Sequence, residues 1–414
     1  MTRSIPEPSA WTPTRRRVLA AGAGFGLALP FVAAPAFAAP GRKKFVLVIL
    51  RGAADGLSMT PPVGDPNYVA LRRELALTDE ALRLDGDFGL HPELKTVHRL
   101  VGAGQGRIAP AVAMPERIRS HFEAQDRLES AAGDDISSGW LNRALASLSG
   151  KTEAEGLSVG PVAPLVLRGE VPTASWSPGR AVEAQARLPM LVQDLYGDDP
   201  VLGAALARGL KTEALAQANI ARLAPEAGGD LSAAETARLT RTLMGDSREA
   251  AGRLGGTVAG FMQEGAATDL VAISLDGFDT HANQAGALAG RLAYLDAMLG
   301  GLKDGLGAGW GETVVLVVTE FGRTARINGT QGTDHGTAST ALLLGGGLKP
   351  GGIIGDWPTL QEARLFENRD LAPTADLRSL FKGVLAEHMG VDRRALDTTV
   401  FPDSATAPPI LGFV

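Results

Sequence analysis

Two apolar runs late in the chain constrain the fold most strongly, because metal-binding residue types follow each of them. The first run is VAISL (Val271 to Leu275), and the second is TVVLVV, which ends just before Glu320. Val, Ile and Leu follow one another in both runs with little alternation, which is typical of strands buried on both faces of a parallel sheet. In open α/β sheets, ligands bind beyond the carboxyl ends of the strands. We therefore expect a functional site where these two strands end.

The rest of the chain alternates between predicted strands and predicted helices. Further strands are predicted at Lys44 to Leu50, Arg107 to Ala113, 162–169 (VAPLVLRG) and 339–345, and helices at 285–305 and Thr374 to Met389. Residues from about 180 to 262 are rich in Ala, Leu, Arg and Glu, which predicts a helical insertion. This alternation indicates a doubly wound α/β domain over residues 39–414.

Six candidate metal ligands follow these strands or lie in the glycine-rich loop NGTQGTDHG: Asp55, Asp279, His281, Glu320, Asp334 and His335. Asp279 and His281 are two residues apart, so on an extended segment both side chains project to the same side. Carboxylate oxygen together with imidazole nitrogen suits Zn²⁺ or Mn²⁺, whereas ligation by oxygen alone suits Mg²⁺ or Ca²⁺. The alternative is a turn-capping aspartate beside a surface histidine.

Ser120 admits two interpretations. Glu123 follows it by three residues, which is a capping-box pattern and predicts that Ser120 begins a helix. Ser120 would also suit a nucleophile, because a helix N-terminus offers free amides and a positive dipole to an oxyanion or a phosphoryl group. Arg119 and His121 flank it and would contact an anionic substrate. Arg323 would bind an anion or pair with Glu320.

The N-terminus predicts export of the chain. Three arginines (Arg15 to Arg17) precede an apolar segment rich in Gly and Ala that ends in Ala36-Phe37-Ala38. A basic start, an apolar middle and a small-x-small site form a signal peptide, and the paired arginines favour the twin-arginine export machinery. We predict cleavage near Ala38, hence a periplasmic or secreted protein without a membrane span after removal of residues 1–38.

The charge of the chain excludes nucleic-acid binding as its main role. Residues 1–38 contain four arginines and one glutamate, so their removal changes the formal net charge from −6 to −9. An acidic protein without basic clusters is repelled by phosphate backbones. Cysteine is absent, which fits an oxidising compartment without disulfides and also fits a cytosolic enzyme.

The motifs RGAADGL, RSHFEAQD, SGWLNR, DGFDTHANQ, TEFGRT and GTDHG, together with the leader, resemble those of the exported domain of unknown function 1501 family. That family is similar to the alkaline phosphatase and sulfatase superfamily. The resemblance implies a three-layer α/β/α sandwich that binds one or two divalent metals and hydrolyses or transfers phosphate or sulfate esters. It also implies that Asp55, Asp279, His281, Glu320 and His335 are ligands and that Ser120 is the nucleophile.

The sequence departs from the superfamily pattern at three points. Asp279 and His281 are more tightly spaced than the Asp and His pair of the superfamily. Phe321 follows Glu320, whereas alkaline phosphatases have a histidine after the strand-end aspartate. Formylglycine chemistry is excluded because the chain has no cysteine. One complete metal site is therefore expected rather than two.

These features favour an exported, metal-dependent hydrolase that acts on an anionic small-molecule ester or a cell-envelope substrate, with a metal-activated serine or water as the nucleophile. The alternative from another class is a non-catalytic exported binding or assembly protein on the same fold. A phosphomutase-like transferase is disfavoured, because export separates it from cytosolic metabolites.

Overall fold

A mixed sheet organises the described part of the chain. The computed structural model describes residues 42–135, 137–148, 155–160, 162–178, 196, 199–200, 202–222, 245–263 and 268–414. The predicted signal peptide lies outside them. The strands in these residues are β1 (Lys44–Leu50), β2 (Leu82–Arg83), β3 (Gly89–Leu90), β4 (Gly106–Ala113), β5 (Glu155–Val159), β6 (Ala174–Trp176), β7 (Thr268–Leu275), β8 (Thr313–Val318), β9 (Ser339–Gly345) and β10 (Ala375–Asp376).

The two apolar runs flank the first strand of the chain. Within the described residues, eight strands form the sheet in the order β10-β4-β9-β8-β1-β7-β5-β6, and β2 pairs with β3 in a separate antiparallel ribbon. Val46 of β1 is in parallel register with Val271 of β7 on one side and Val315 of β8 on the other. Strand β9 is antiparallel to both β8 and β4. The predicted α/β class with a mostly parallel central sheet is confirmed.

Helices cover both faces of this sheet, which makes three layers. Val46, Val48 and Leu50 of β1 pack in one core, whereas Phe45, Leu47 and Ile49 pack in the other. The first core includes residues of helices Lys95–Gly102, Leu202–Arg222, Arg248–Phe261 and Gln284–Leu306. The second includes residues of helices His121–Ser130, Trp140–Leu148 and Leu377–Glu387. Short helices span Gly56–Met59, Tyr68–Arg72 and Arg393–Ala395. Burial of apolar residues on both faces explains why the strands lack alternation.

The helix Arg248–Phe261 packs closely against Gln284–Leu306 through glycines. A Cβ atom at Gly255 would lie 2.0 Å from the Met298 carbonyl oxygen, and one at Gly301 would lie 2.0 Å from that of Gly252. Only glycine permits this approach of two helix backbones. Helices Leu202–Arg222 and Arg248–Phe261 lie within the predicted insertion of 180–262, but much of that segment lies outside the described residues, so its limits remain a prediction.

Two predicted elements differ in the structure. The predicted strand at 162–169 is wrong: this segment contains a 3₁₀ turn, Leu165–Leu167, and the strands beyond β7 are β5 and, at the edge of the sheet, β6. Pro164 lacks an N–H for a ladder, and the Val166 N–H donates to the buried Glu129 carboxylate at 3.0 Å. The last long helix begins at Leu377 rather than at Thr374, because Asp376 pairs in β10 and its carboxylate accepts from the Arg378 N–H.

Among the described residues, no helix is both long and apolar enough to cross a membrane.

Candidate metal centre

Three sequence-predicted residues converge beyond the carboxyl ends of the central strands. Asp279 follows β7, His121 begins the helix after β4, and His335 comes from the glycine-rich loop before β9. One ligand atom from each lies within 4.8 Å of the other two. The glycine after β1 allows this convergence, since Gly52 has a φ of +110° and a Cβ there would lie 2.5 Å from the Asp279 nitrogen.

Both histidines present the same ring nitrogen to Asp279. The Nδ1 of His335 lies 2.8 Å from the Arg119 carbonyl oxygen, which only accepts, so Nδ1 carries the proton and Nε2 keeps its lone pair. The Nδ1 of His121 lies 2.9 Å from Glu320 Oε1, and its Nε2 is buried without a hydrogen-bond partner in the described residues. The two Nε2 atoms lie 3.6 Å (His335) and 3.5 Å (His121) from oxygens of Asp279.

Two nitrogens and one carboxylate oxygen fit a divalent metal. Three protein ligands that leave a position open are the usual set of a catalytic zinc site. In metal sites, the ring nitrogen that does not bind the metal usually donates to a carboxylate or a carbonyl, because this bond fixes the orientation of the imidazole. The orphaned Nε2 of His121 is the observation that carries this fit. An imidazole nitrogen left unpaired and buried costs free energy, which a metal bond would offset.

His281 and Asp334 lie at the rim of this cluster. The Nε2 of His281 is 3.0 Å from both Asp279 Oδ1 and His335 Nε2, so it is the next donor within reach of a cation. Its Nδ1 lies 3.2 Å from Asp334 Oδ1, which also accepts from the Asn328 amide. The Asn328 bond, together with His281, lowers the pKa of Asp334. Asp334 therefore orients His281 and is not one of the three converging residues.

Glu320 lies behind the cluster rather than in it. Its side chain is fully buried and accepts from the Gly52 N–H at 2.9 Å, from Gln125 at 3.0 Å and from His121. Burial alone would raise the pKa of Glu320, but these hydrogen bonds together lower it. The bond to Glu320 in turn raises the pKa of His121. Glu320 is thus the charged partner that orients His121.

Arg323 joins the loops that follow the three central strands. Its side chain is fully buried and donates to the carbonyls of Gly52 at 2.7 Å, Ala53 at 2.8 Å, Phe278 at 3.2 Å and Thr333 at 3.0 Å. It also forms an ion pair with Asp279. Burial works to raise the pKa of Asp279, but the bond and charge of Arg323 outweigh it and lower that pKa. Arg323 therefore keeps Asp279 ionised and in place.

Asp55 belongs to a separate buried network. Its carboxylate pairs with Arg72 and accepts from Gln284 and from the Ser58 hydroxyl. Gln284 extends this network to the loops that carry Asp279 and His335, because its Oε1 accepts from Thr280 at 2.9 Å and from Thr333 at 2.6 Å. Asp55 thus supports the two loops that carry Asp279 and His335, and it is not among the three converging residues.

Ser120 is the N-cap residue immediately before the helix His121–Ser130, as predicted. Its backbone is extended (φ −98°, ψ 123°), but its side chain makes no capping hydrogen bond and is exposed. The predicted capping box is therefore not formed. Arg119 is held by Glu367 at 2.6 Å and Asp370 at 2.7 Å, so its charge is already balanced.

The residues that sequence reasoning missed are the partners of the ligands. Gln125 supports Glu320, and Asn328 supports Asp334 and accepts from the Gly332 N–H. For Gln125 a signal existed, since it lies four residues after His121 and therefore on the same helix face. Phe321 stacks on His121 with ring centroids 5.0 Å apart, which makes it an apolar wall of the cluster.

Fold and site thus define a three-layer α/β protein with a candidate metal centre at the carboxyl ends of its strands. Residues 100–400 match the family described as "Protein of unknown function (DUF1501)", and the chain belongs to this family. No curated protein matches the chain.

Several solved structures are similar to this chain, all at low identity. A protein in the alkaline phosphatase superfamily from Vibrio parahaemolyticus is 11% identical, with a TM-score of 0.38 over 89% of this chain and 71% of its own. The C-terminal periplasmic domain of EcEptC from Escherichia coli, in complex with Zn, is 8% identical, with a TM-score of 0.39 over 88% of each chain. The alkaline phosphatase of the Antarctic bacterium TAB5 is 11% identical, with a TM-score of 0.32 over 76% of this chain and 95% of its own.

Proposed function

We propose that the chain is an exported, metal-dependent hydrolase of phosphate or sulfate esters. The observation that carries this proposal is the convergence of the His121 and His335 Nε2 atoms on Asp279 beside the start of a helix. His121, Asp279 and His335 would hold one divalent metal, most simply Zn²⁺ or Mn²⁺ because two of the donors are nitrogens. When bound, the metal would act as a Lewis acid and lower the pKa of a hydroxyl group or a water.

The residues around the cluster supply a hydroxyl, a helix N-terminus and fixed hydrogen-bond partners, which together support ester chemistry. Ser120 has an exposed hydroxyl that makes no capping hydrogen bond to the helix, so this hydroxyl is free to attack or to bind the ester. The first amides of the helix His121–Ser130 and its dipole would stabilise negative charge on the transferring group. Glu320 and the Arg119 carbonyl hold the two imidazoles, and Arg323 holds Asp279. These groups are fixed before substrate binds, which is the condition for electrostatic stabilisation.

The substrate would be an anionic ester of a small molecule or of the cell envelope. The paired arginines of the N-terminal segment support export by the twin-arginine machinery, which carries folded cargo. The substrate would then be met in the periplasm or outside the cell. Arg119 would contribute less to anion binding than its sequence position suggests, because Glu367 and Asp370 already neutralise it.

The test is turnover of p-nitrophenyl phosphate and p-nitrophenyl sulfate by the mature protein supplied with Zn²⁺ or Mn²⁺. We expect metal-dependent release of nitrophenol from one of them, and a fall of about 100-fold or more in Ser120→Ala if the serine is the nucleophile. The matched control is Ser175→Ala, an exposed serine in β6. Full activity in Ser120→Ala would assign the attack to water. Absence of turnover by metal-loaded, folded protein would overturn the hydrolase.

One observation favours a non-catalytic binding or assembly protein as the second candidate. Arg72 pairs with Asp55 and Phe321 packs on His121, so neither position adds a ligand to a second metal beside the first. A protein with a single structural metal would bind about one equivalent tightly and turn over neither ester. The turnover measurement therefore separates the two candidates.

A further inference from the structure

Arg51 follows the strand β1, and its side chain reaches the helix His121–Ser130. Its Nη1 donates to Gln125 Oε1 at 2.7 Å, and its Nη2 donates to Glu129 Oε1 at 2.6 Å. Gln125 and Glu129 lie four residues apart, so both project from one face of the helix. The guanidinium therefore bridges two neighbouring side chains with its two terminal nitrogens, which its planar shape allows.

The bond from Arg51 determines the orientation of the Gln125 amide. A guanidinium only donates hydrogen bonds, so the amide turns its carbonyl oxygen toward Arg51. Its Nε2 then faces Glu320 Oε1 and donates to it at 3.0 Å. The opposite orientation would place two donors against each other at Arg51 and two acceptors against each other at Glu320. Only one orientation of the Gln125 amide therefore satisfies both neighbours.

The Oε1 atom of Glu320 connects this amide to the candidate metal centre. It accepts from the Gly52 N–H and from Gln125, and it lies 2.9 Å from His121 Nδ1. The carboxylate is buried, so the loss of one donor leaves part of its charge unsatisfied. The same oxygen orients His121, which is one of the three converging residues. A change at Arg51 thus reaches His121 through two intervening side chains.

Glu129 holds Arg51 in place from the other side. Its carboxylate is buried, and while Oε1 pairs with Arg51, Oε2 accepts from the Val166 N–H at 3.0 Å. Val166 belongs to the 3₁₀ turn Leu165–Leu167, so this anchor includes a segment outside the helix. Arg51 is therefore a fixed donor rather than a mobile surface cation, and its Nη1 remains directed at Gln125.

We propose that Arg51 is a positioning residue of the candidate metal centre. It fixes the Gln125 amide, this amide donates to Glu320, and Glu320 holds the ring of His121. Arg51 thereby raises the affinity of the centre for its metal without touching it. The proposal rests on the metal centre of the proposed function, but it does not require ester hydrolysis.

The experiment measures the affinity for Zn²⁺, by competition with a chromophoric chelator, in the paired variant Arg51→Met/Glu129→Gln and in Glu129→Gln as its reference. The paired change avoids a buried carboxylate without its cation, which would endanger the fold. We expect an affinity about threefold to tenfold lower than that of the reference, the size of one lost hydrogen bond. The visible absorption of the Co²⁺-loaded protein, which reports the geometry of the metal ligands, should change as well.

Gln125→Met removes the amide alone and should lower the affinity by a similar factor, so it keeps the test valid if the paired variant does not fold. In the Gln125→Met background, the removal of Arg51 should have no further effect on metal affinity, although it should still lower the free energy of unfolding. An Arg51 that only stabilises the fold would have the same effect on metal affinity in both backgrounds.

The matched control is Arg127→Met. Arg127 lies on the same helix, its side chain is 16% exposed against 18% for Arg51, and it pairs with Asp134 rather than with Gln125. It should bind Zn²⁺ and Co²⁺ as the wild type does.

The proposal is overturned if the paired variant and Gln125→Met bind Zn²⁺ as tightly as their references, or if the effect of Arg51 is the same with and without the Gln125 amide. It is also overturned if the wild type binds no metal, a result that would remove the metal centre itself. Protein that binds metal and shows the expected affinities, but turns over neither ester, would contradict the hydrolase alone.

Discussion

The Nδ1 atom of His121 lies 2.9 Å from the Oε1 atom of Glu320, a carboxylate that is fully buried behind the candidate metal centre. This bond turns the Nε2 atom of His121 toward Asp279, where it has no hydrogen-bond partner in the described residues. Glu320 is thus not one of the three converging residues, but it fixes the orientation of His121 within the site.

Replacement of Glu320 by glutamine should therefore weaken metal binding without loss of the fold. The amide keeps the size of the side chain, but it loses the charge that supports His121. Loss of such a partner typically lowers metal affinity about 10-fold to 100-fold. Competition with a chromophoric chelator measures this change. The matched control is Glu249→Gln, an exposed glutamate with a helical ion pair to Arg253, and equal affinities of the two variants would contradict the role of Glu320.

Arg323 should contribute to stability far more than the partly exposed Arg326 nearby in the chain. Arg323→Lys keeps the charge but loses the planar fork that reaches four carbonyls and Asp279, so we expect a loss of about 3 kcal/mol in the free energy of unfolding. Arg326 pairs with Glu362 at the surface, and Arg326→Lys should cost less than about 0.5 kcal/mol. Urea unfolding of both variants measures the difference. Equal midpoints and slopes for the two variants would show that Arg323 does not stabilise the fold by joining the loops after the central strands.

His388 should make the fold sensitive to acid. It is buried, its ring lies 2.8 Å from the Lys44 carbonyl oxygen, and burial lowers its pKa from 6.5 to about 4. Between these two values the unfolded chain binds the proton and the folded chain does not, so stability falls as the pH falls from 6.5 to 4 and this contribution is constant below that range. The loss amounts to about 3 kcal/mol.

The measurement for His388 is the free energy of urea unfolding at pH 7 and at pH 4. His388→Gln, which can still donate to the Lys44 carbonyl, should show a loss that is smaller by this amount. A parallel pH dependence of the two proteins would remove His388 as the cause.

Sequence reasoning identified the strands well where burial dictates composition. Both faces of β1, β7 and β8 are covered, so their apolar runs are continuous and their ends coincide with the sheet edge. The residues after those ends could be named for the same reason. The strand predicted for VAPLVLRG is wrong because an apolar segment can also bury Val166 from a turn. Hydrophobic periodicity does not distinguish a short buried strand from such a turn.

The division of the candidates into ligands and supporting groups could not be predicted from the sequence. Asp55, Asp279 and Glu320 all follow strands, yet their roles differ. Asp55 pairs with Arg72, Asp279 belongs to the metal cluster, and Glu320 holds His121. These partners come from 17 to 199 positions away along the chain, and only the folded structure brings them together. The role of Ser120 as nucleophile remains a prediction.

The most direct test of the account is the metal content of the protein purified without chelator, measured by mass spectrometry for the wild type and Asp279→Asn. The account predicts about one equivalent of a divalent metal in the wild type. It predicts a loss of that metal in Asp279→Asn with the far-ultraviolet circular dichroism unchanged. The matched control Asp304→Asn, at an exposed carboxylate that pairs with Lys303 outside the cluster, should retain the metal. Metal-free, folded wild-type protein that fails to bind added Zn²⁺ or Mn²⁺, or stoichiometric metal in folded Asp279→Asn, would contradict the central claim.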